Sequence, residues 1–204
     1  MARPAVKTKY ILDAARSLFS ERGFHNVTLK EIADRAGVSQ GLIIHHYATL
    51  EGLYNTVVDE MRPHTANALM PKLQQFDTPT KEQLVALLTA YVEHRVAESP
   101  ALKILDWARL EGDVTRSPEE DVFLKTLAEC FARAQEASVI RDDIEPDDMI
   151  LMTAATVQHW IRSGSAYGPT GGGTAETAND RSAKSQQAIV DLIYKTVFMP
   201  RNER

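Results

Sequence analysis

Apolar residues recur along most of this chain at intervals of three and four, and no stretch alternates convincingly as a strand does. That period lays apolar side chains on one face of an α-helix, so the fold class it predicts is all-α. Ile11, Ala14, Ala15, Leu18 and Phe19 form the first stripe, in a helix over about 6–22 that stops at Gly23. Leu29, Ile32, Ala33 and Ala36 form the second. Thr28 and Glu31 stand where a capping box would open that helix, and Gly37 stands where a left-handed cap would end it. Ser39 can then cap a third helix running to about Tyr47. Two short helices joined by a glycine turn are a helix-turn-helix, whose second helix enters the major groove of DNA. The plainer alternative is an ordinary helical hairpin in a core.

Thr49 caps a fourth stripe of Leu50, Leu53, Tyr54, Val57, Val58 and Met61, with Pro63 bending or ending the helix before the pattern resumes toward Met70. Residues 74–80 read as a loop. Thr80 with Gln83 opens the next helix, with Leu84, Leu87, Leu88, Tyr91 and Val92 on one face. A shorter helix over 101–111 ends at Gly112. Ser117-Pro118 and Pro146 open two long amphipathic helices, and a last one is expected over about 181–198. The glycine-rich stretch 164–180 lacks the lysine-serine pair of a phosphate-binding loop and reads as a flexible connector.

The motif does not stand alone. The run ILDAARSLFSERGF, then TLKEIA, AGVS and Gly41, then Tyr47, Glu51 and Leu53, keeps its spacing across successive helices. This block resembles the N-terminal DNA-binding domain of the TetR family of bacterial transcriptional regulators. The resemblance covers about a quarter of the chain and implies a helix-turn-helix domain over 1–47. A ligand-binding and dimerisation domain over 48–204 would follow, with 49–63 as a linking helix. It also implies that Thr28 and Lys30 approach DNA, that Ser39, Gln40, Gly41, Leu42 and His45 lie on or near base edges, and that His46 and Tyr47 lie nearer the backbone. Gln40 is the best base reader, since a glutamine can bond adenine through two hydrogen bonds. Two positions depart from the family pattern: Ile44 replaces a common tyrosine and Leu50 a common lysine, both of which usually contact phosphate.

Charge supports a basic end. Residues 1–47 hold seven Lys and Arg against four Asp and Glu, a net +3, which leaves −8 for the rest of a chain whose total is −5. Attraction for phosphate is thereby confined to one end. Arg3, Lys7 and Lys9 would form a short basic arm there, either touching phosphate or simply solvated.

Motifs of enzymes are absent, as are paired cysteines; His45 and His46 are adjacent, so on a helix they diverge by about 100° and do not share a metal. Neither a cofactor nor a metal is expected, and no apolar run is long enough to span a membrane. A cytoplasmic protein is the expectation. The single cysteine, Cys130, reads as a core thiol.

Tyr91, His94, Trp107, Phe123, Phe131, His159 and Trp160 are ingredients for a small-molecule effector pocket, or simply an aromatic core. In the family the last two long helices usually form the homodimer interface. That implies a role for Ile150, Ala154, Val157 and Ile161 on one helix, and for Ile189, Leu192, Ile193 and Val197 on the other. A dimer would read a near-palindromic operator in double-stranded DNA. The expected function is a repressor released by its effector; the alternative is a helical binding protein that kept the fold and lost operator binding.

Overall fold

The stripe of the first helix, Ile11, Ala14, Ala15, Leu18 and Phe19, is buried against the helices that follow it. A computed structural model describes residues 4–163 and 183–200, and among these the chain is helical with no strand. The helices are α1 (Pro4–Arg22), α2 (Leu29–Ala36), α3 (Gln40–Tyr47), α4 (Leu50–Met61), α5 (His64–Leu73), α6 (Lys81–Ala97), α7 (Ser99–Leu110), α8 (Pro118–Glu136), α9 (Pro146–Ser163) and α10 (Ala183–Ile193). A single 3₁₀ turn, Phe24–Asn26, follows α1, and a π-helical turn, Tyr194–Phe198, continues α10. The glycine-rich connector read in 164–180 lies outside the described residues. Among the described residues, no helix is long and apolar enough to cross a membrane.

Two compact units divide the chain. The first, the head, takes residues up to His64 together with Pro100–Ser117. Its core joins Ile11, Leu18, Phe19, Ile32 and Ile43 to Leu53, Val57 and Met61 of α4 and to Leu102, Ile104, Leu105 and Ala108 of α7. The boundary expected after Tyr47 therefore does not coincide with this unit's limit. Hydrophobic burial, which is non-directional, keeps α4 with the motif helices because its apolar face has nowhere drier to go. Arg62, almost fully buried at the end of α4, donates to the Thr115 carbonyl, to Asp113 and, at 3.3 Å, to Asp59. That clasp fixes the 111–117 segment to the head. Thr115's amide, and then the Arg62 guanidinium, hold the Asp113 carboxyl below its ordinary range.

The second unit, the body, takes Thr65–Ser99 and the chain from Pro118 onward. One of its apolar clusters joins Leu84, Leu88 and Val92 of α6 to Phe131, Met149, Val157, Ile189, Ile193, Val197 and Phe198. Phe131 meets Phe198 edge-on with ring centres 5.1 Å apart. A smaller cluster joins Ala66, Leu69 and Leu73 of α5 to Leu87, Phe123 and Cys130. Half-buried Tyr91 and Leu127 pack on both. Burial pushes the Cys130 thiol up, away from the reactive thiolate, as a core role requires.

Val157, Ile189, Ile193 and Val197, assigned from the sequence to a dimer interface, are buried inside the body. Ile150 and Ile161 are half-buried against the same cluster. Helical period locates an apolar face but does not distinguish a core from a partner. Leu192 alone among the α10 residues named points outward, 51% exposed.

Candidate nucleic-acid interface

The α2–turn–α3 segment is held by contacts local in sequence. Thr28 Oγ1 accepts from the Glu31 amide at 3.3 Å while Glu31 Oε2 accepts from the Thr28 amide at 2.9 Å, closing the expected capping box. Both Thr28 groups stabilise the ionised form of Glu31, whose carboxyl lies below its ordinary range. Arg22 donates to the other oxygen of Glu31 at 2.8 Å and so ties the end of α1 to the start of α2. Gly37 sits at φ 66°, where a side chain is strained, and the Val38 amide returns to the Ala33 carbonyl at 3.0 Å. Ser39 Oγ then accepts from the Leu42 amide at 3.3 Å to open α3. These are the contacts that orient one helix on the other.

The junction after α3 is tighter. Ala48 has φ 61° and ψ −52°, and the Thr49 amide donates to the Tyr47 carbonyl at 2.7 Å, a strained three-residue turn. Thr49 Oγ1 accepts from the Gly52 amide at 2.9 Å to open α4. A Cβ built on Gly52 would lie 2.3 Å from the Tyr47 carbonyl oxygen. Only glycine lets α4 begin this close to the last turn of α3.

With α3 fixed, its faces separate cleanly. Ile43 is buried, and Leu42 and Tyr47 are half-buried against the head's core. That packing sets Leu42 and Tyr47 apart from the other residues expected at DNA. Thr28, Lys30, Ser39, Gln40, Gly41, His45 and His46 are exposed. Ile44, which sequence reasoning passed over as a reader, is 48% exposed. Its signal was spacing: Gln40, Gly41 and Ile44 fall on one stripe at intervals of three and four. Leu50, the other departure from the family pattern, is half-buried against the head's core.

Electrostatics distribute the head's cations unevenly. Arg16 pairs with Asp13 and Glu60, Arg22 with Glu31 and Arg35 with Glu21, all within 3.2 Å. These arginines brace helices. Within the first 47 residues, Lys7, Lys9 and Lys30 are exposed cations. Among the described residues, no group of His, Cys, Asp or Glu is arranged to hold a metal.

The residues expected to form an effector pocket are divided between the two units and among the body's clusters. Trp107 belongs to the head, where its indole lies 3.3 Å from a Cβ built on Gly23. His159 is exposed on α9. Phe123 and Phe131 sit in the two separate clusters of the body, with Tyr91 between them and Trp160 half-buried against the larger. His94 is half-buried on α6. Sequence reasoning missed Arg95 Nε and Thr153 Oγ1, enclosed in the body with no hydrogen-bond partner among the described residues.

A capped, glycine-turned helix pair with a polar outer face defines a helix-turn-helix protein. The sequence profile described as "Bacterial regulatory proteins, tetR family" matches residues 11–57, and that described as "Tetracyclin repressor-like, C-terminal domain" matches residues 83–191. The chain belongs to the TetR family, a family of transcriptional regulators rather than of enzymes. The HTH-type transcriptional regulator BetI of Escherichia coli K12 is 27% identical over 100 residues, which is 48% of this chain and 51% of BetI. The chain thus aligns with about half the length of the curated relatives it matches. Among solved structures, PfmR of Thermus thermophilus superposes with a TM-score of 0.68 at 20% identity, over 91% of this chain and 97% of that one. AibR in complex with isovaleryl coenzyme A and operator DNA superposes with a TM-score of 0.63 at 18% identity, over 94% and 98%. Both likenesses concern the fold.

Proposed function

We propose that this protein is a cytoplasmic homodimeric repressor that binds a near-palindromic operator through α3 and is released by a small-molecule effector. The observation that carries the reading is the exposed face of α3, with Gln40, Gly41, His45 and His46 projected from a locked helix-turn-helix. Thr28, Lys30 and Ser39 flank that face, and Lys7 and Lys9 supply further cations for phosphate. The DNA-binding role goes to helices within 1–47, and dimerisation and effector binding to the body.

The dimer would form on the outward stripe of α9 and α10, where Leu151 is 65% exposed, Met152 43% and Leu192 51%. Replacing Leu151 and Leu192 with glutamate should yield monomers in sedimentation without unfolding the body. For the effector, Tyr91, His94 and Trp160 offer apolar and polar surface, and the enclosed Arg95 Nε and Thr153 Oγ1 offer donors to orient it. The AibR complex, with both an acyl-coenzyme A and operator DNA, supports the pairing of these two activities in this fold.

A gel shift with duplex DNA from upstream of the protein's own gene tests the reading. Retardation that competing random DNA does not abolish is expected. Loss of retardation to random competitor would favour a binding protein that kept the fold without an operator. That second reading draws on Ile44 and Leu50, which stand in place of residues that contact phosphate in relatives.

A further inference from the structure

Ile44 is nearly half exposed, while the other exposed side chains of α3 are polar. In a helix a side chain leans toward the N-terminus and covers the turn before its own Cα. For Ile44 that turn contains Gly41, which has no side chain, and a Cβ built on Gly41 meets nothing nearer than Ser39 Oγ at 4.0 Å. The methyl groups of Ile44 therefore stand unscreened at the centre of the face bounded by Gln40 and His45.

An apolar group gains nothing from a phosphate and loses by desolvating it. Among the base edges of the major groove, the one apolar feature is the C5-methyl of thymine. Gln40, four residues earlier on the same stripe, is suited to adenine. The α-helix rises about 6 Å over four residues, so the two side chains reach bases within about two base-pair steps of each other. We infer that Ile44 is a specificity-determining residue that packs on a thymine methyl, giving each half-site an A·T-rich centre read jointly by Gln40 and Ile44. The inference rests on the operator-binding reading above.

The test begins with selection of binding sites from random duplexes by the full-length wild-type protein and by Ile44→Ala. Both should enrich the same palindrome, with one thymine per half-site lost from the preference of the variant. Deoxyuridine is then placed at that thymine, which deletes the methyl and leaves base pairing intact. Wild-type affinity should fall about fourfold for one half-site and about fifteenfold for both, as expected for one buried methyl each. Ile44→Ala should bind the two duplexes equally, and Ile44→Val should keep most of the dependence. Equal losses for wild type and Ile44→Ala would assign the effect to DNA shape and overturn the inference. So would an Ile44→Ala protein that selects the unchanged site, or a guanine and cytosine centre in the wild-type site. A wild-type protein that enriches no sequence overturns the operator-binding reading itself, and the inference with it.

Discussion

Gly52→Ala is the most direct probe of how α3 is held. The added Cβ would sit 2.3 Å from the Tyr47 carbonyl oxygen, whereas ordinary contact begins at 3.4 Å. About 1 Å must be found, and the obstacle is backbone, so either the last turn of α3 or the first turn of α4 has to move. Overpacking of this kind costs about 1–3 kcal/mol, or roughly 4–24 °C in the melting transition of a unit of the head's size. The shift falls on the helix that carries Gln40 and His45, so DNA affinity should drop further than the stability loss alone explains. Gly41→Ala is the control. Its Cβ has room within the fold, and alanine favours a helix by up to about 1 kcal/mol, so thermal stability should hold or rise. Because Gly41 lies on the outer face of α3, DNA affinity should nevertheless fall. Circular dichroism melts and fluorescence anisotropy on the same samples separate the two effects. If Gly52→Ala melts and binds as the wild type does, the α3–α4 junction is not this close.

Ala48→Gly should stabilise the head by up to about 1 kcal/mol, because glycine accepts the positive φ that alanine holds under strain; a lower denaturation midpoint would count against that turn. Arg62→Met should cost about 1.5–3 kcal/mol by removing charged hydrogen bonds to Thr115 and Asp113, read from urea unfolding. Asp113 has a folded value below its ordinary 3.8, so its contribution is present in full above that pH and disappears as pH falls through the lower folded value. Acid melts of Arg62→Met should accordingly show a shallower loss over that window than the wild type. Leu50→Lys, the natural design for restoring a phosphate contact, should instead lower stability by about 1–2 kcal/mol, since Leu50 packs on the head's core; an unchanged melting temperature would mean the position is open to solvent.

The motif was legible because its determinants are local. Thr28 and Glu31, Gly37, and Ser39 each act on backbone within a few residues, so spacing alone exposes them. The burial of the residues expected at an interface was not legible, for the opposite reason. Ile189 and Ile193 form an apolar stripe whether a neighbouring helix or a second subunit covers it, and only the packing of α6 and α9 around α10 decides. Trp107 was grouped with the aromatics of the body because nothing near it in sequence announces Gly23 as its neighbour. Ile44 stood in plain view, but its departure from a family pattern drew attention to what was missing rather than to what an isoleucine offers.

The clasp at Arg62 and the four α7 residues in the head's core bear on how this protein is made. During synthesis the motif helices emerge early, yet the apolar surface that Leu102, Ile104, Leu105 and Ala108 cover stays open until those residues leave the ribosome. By then all of α5 and α6, which belong to the other unit, has already emerged. The head is thus begun by the motif helices and closed only once α7 has followed. The same discontinuity limits recombination. A chimera that exchanges only the first 64 residues would join a borrowed helix-turn-helix to a native α7 shaped for a different core.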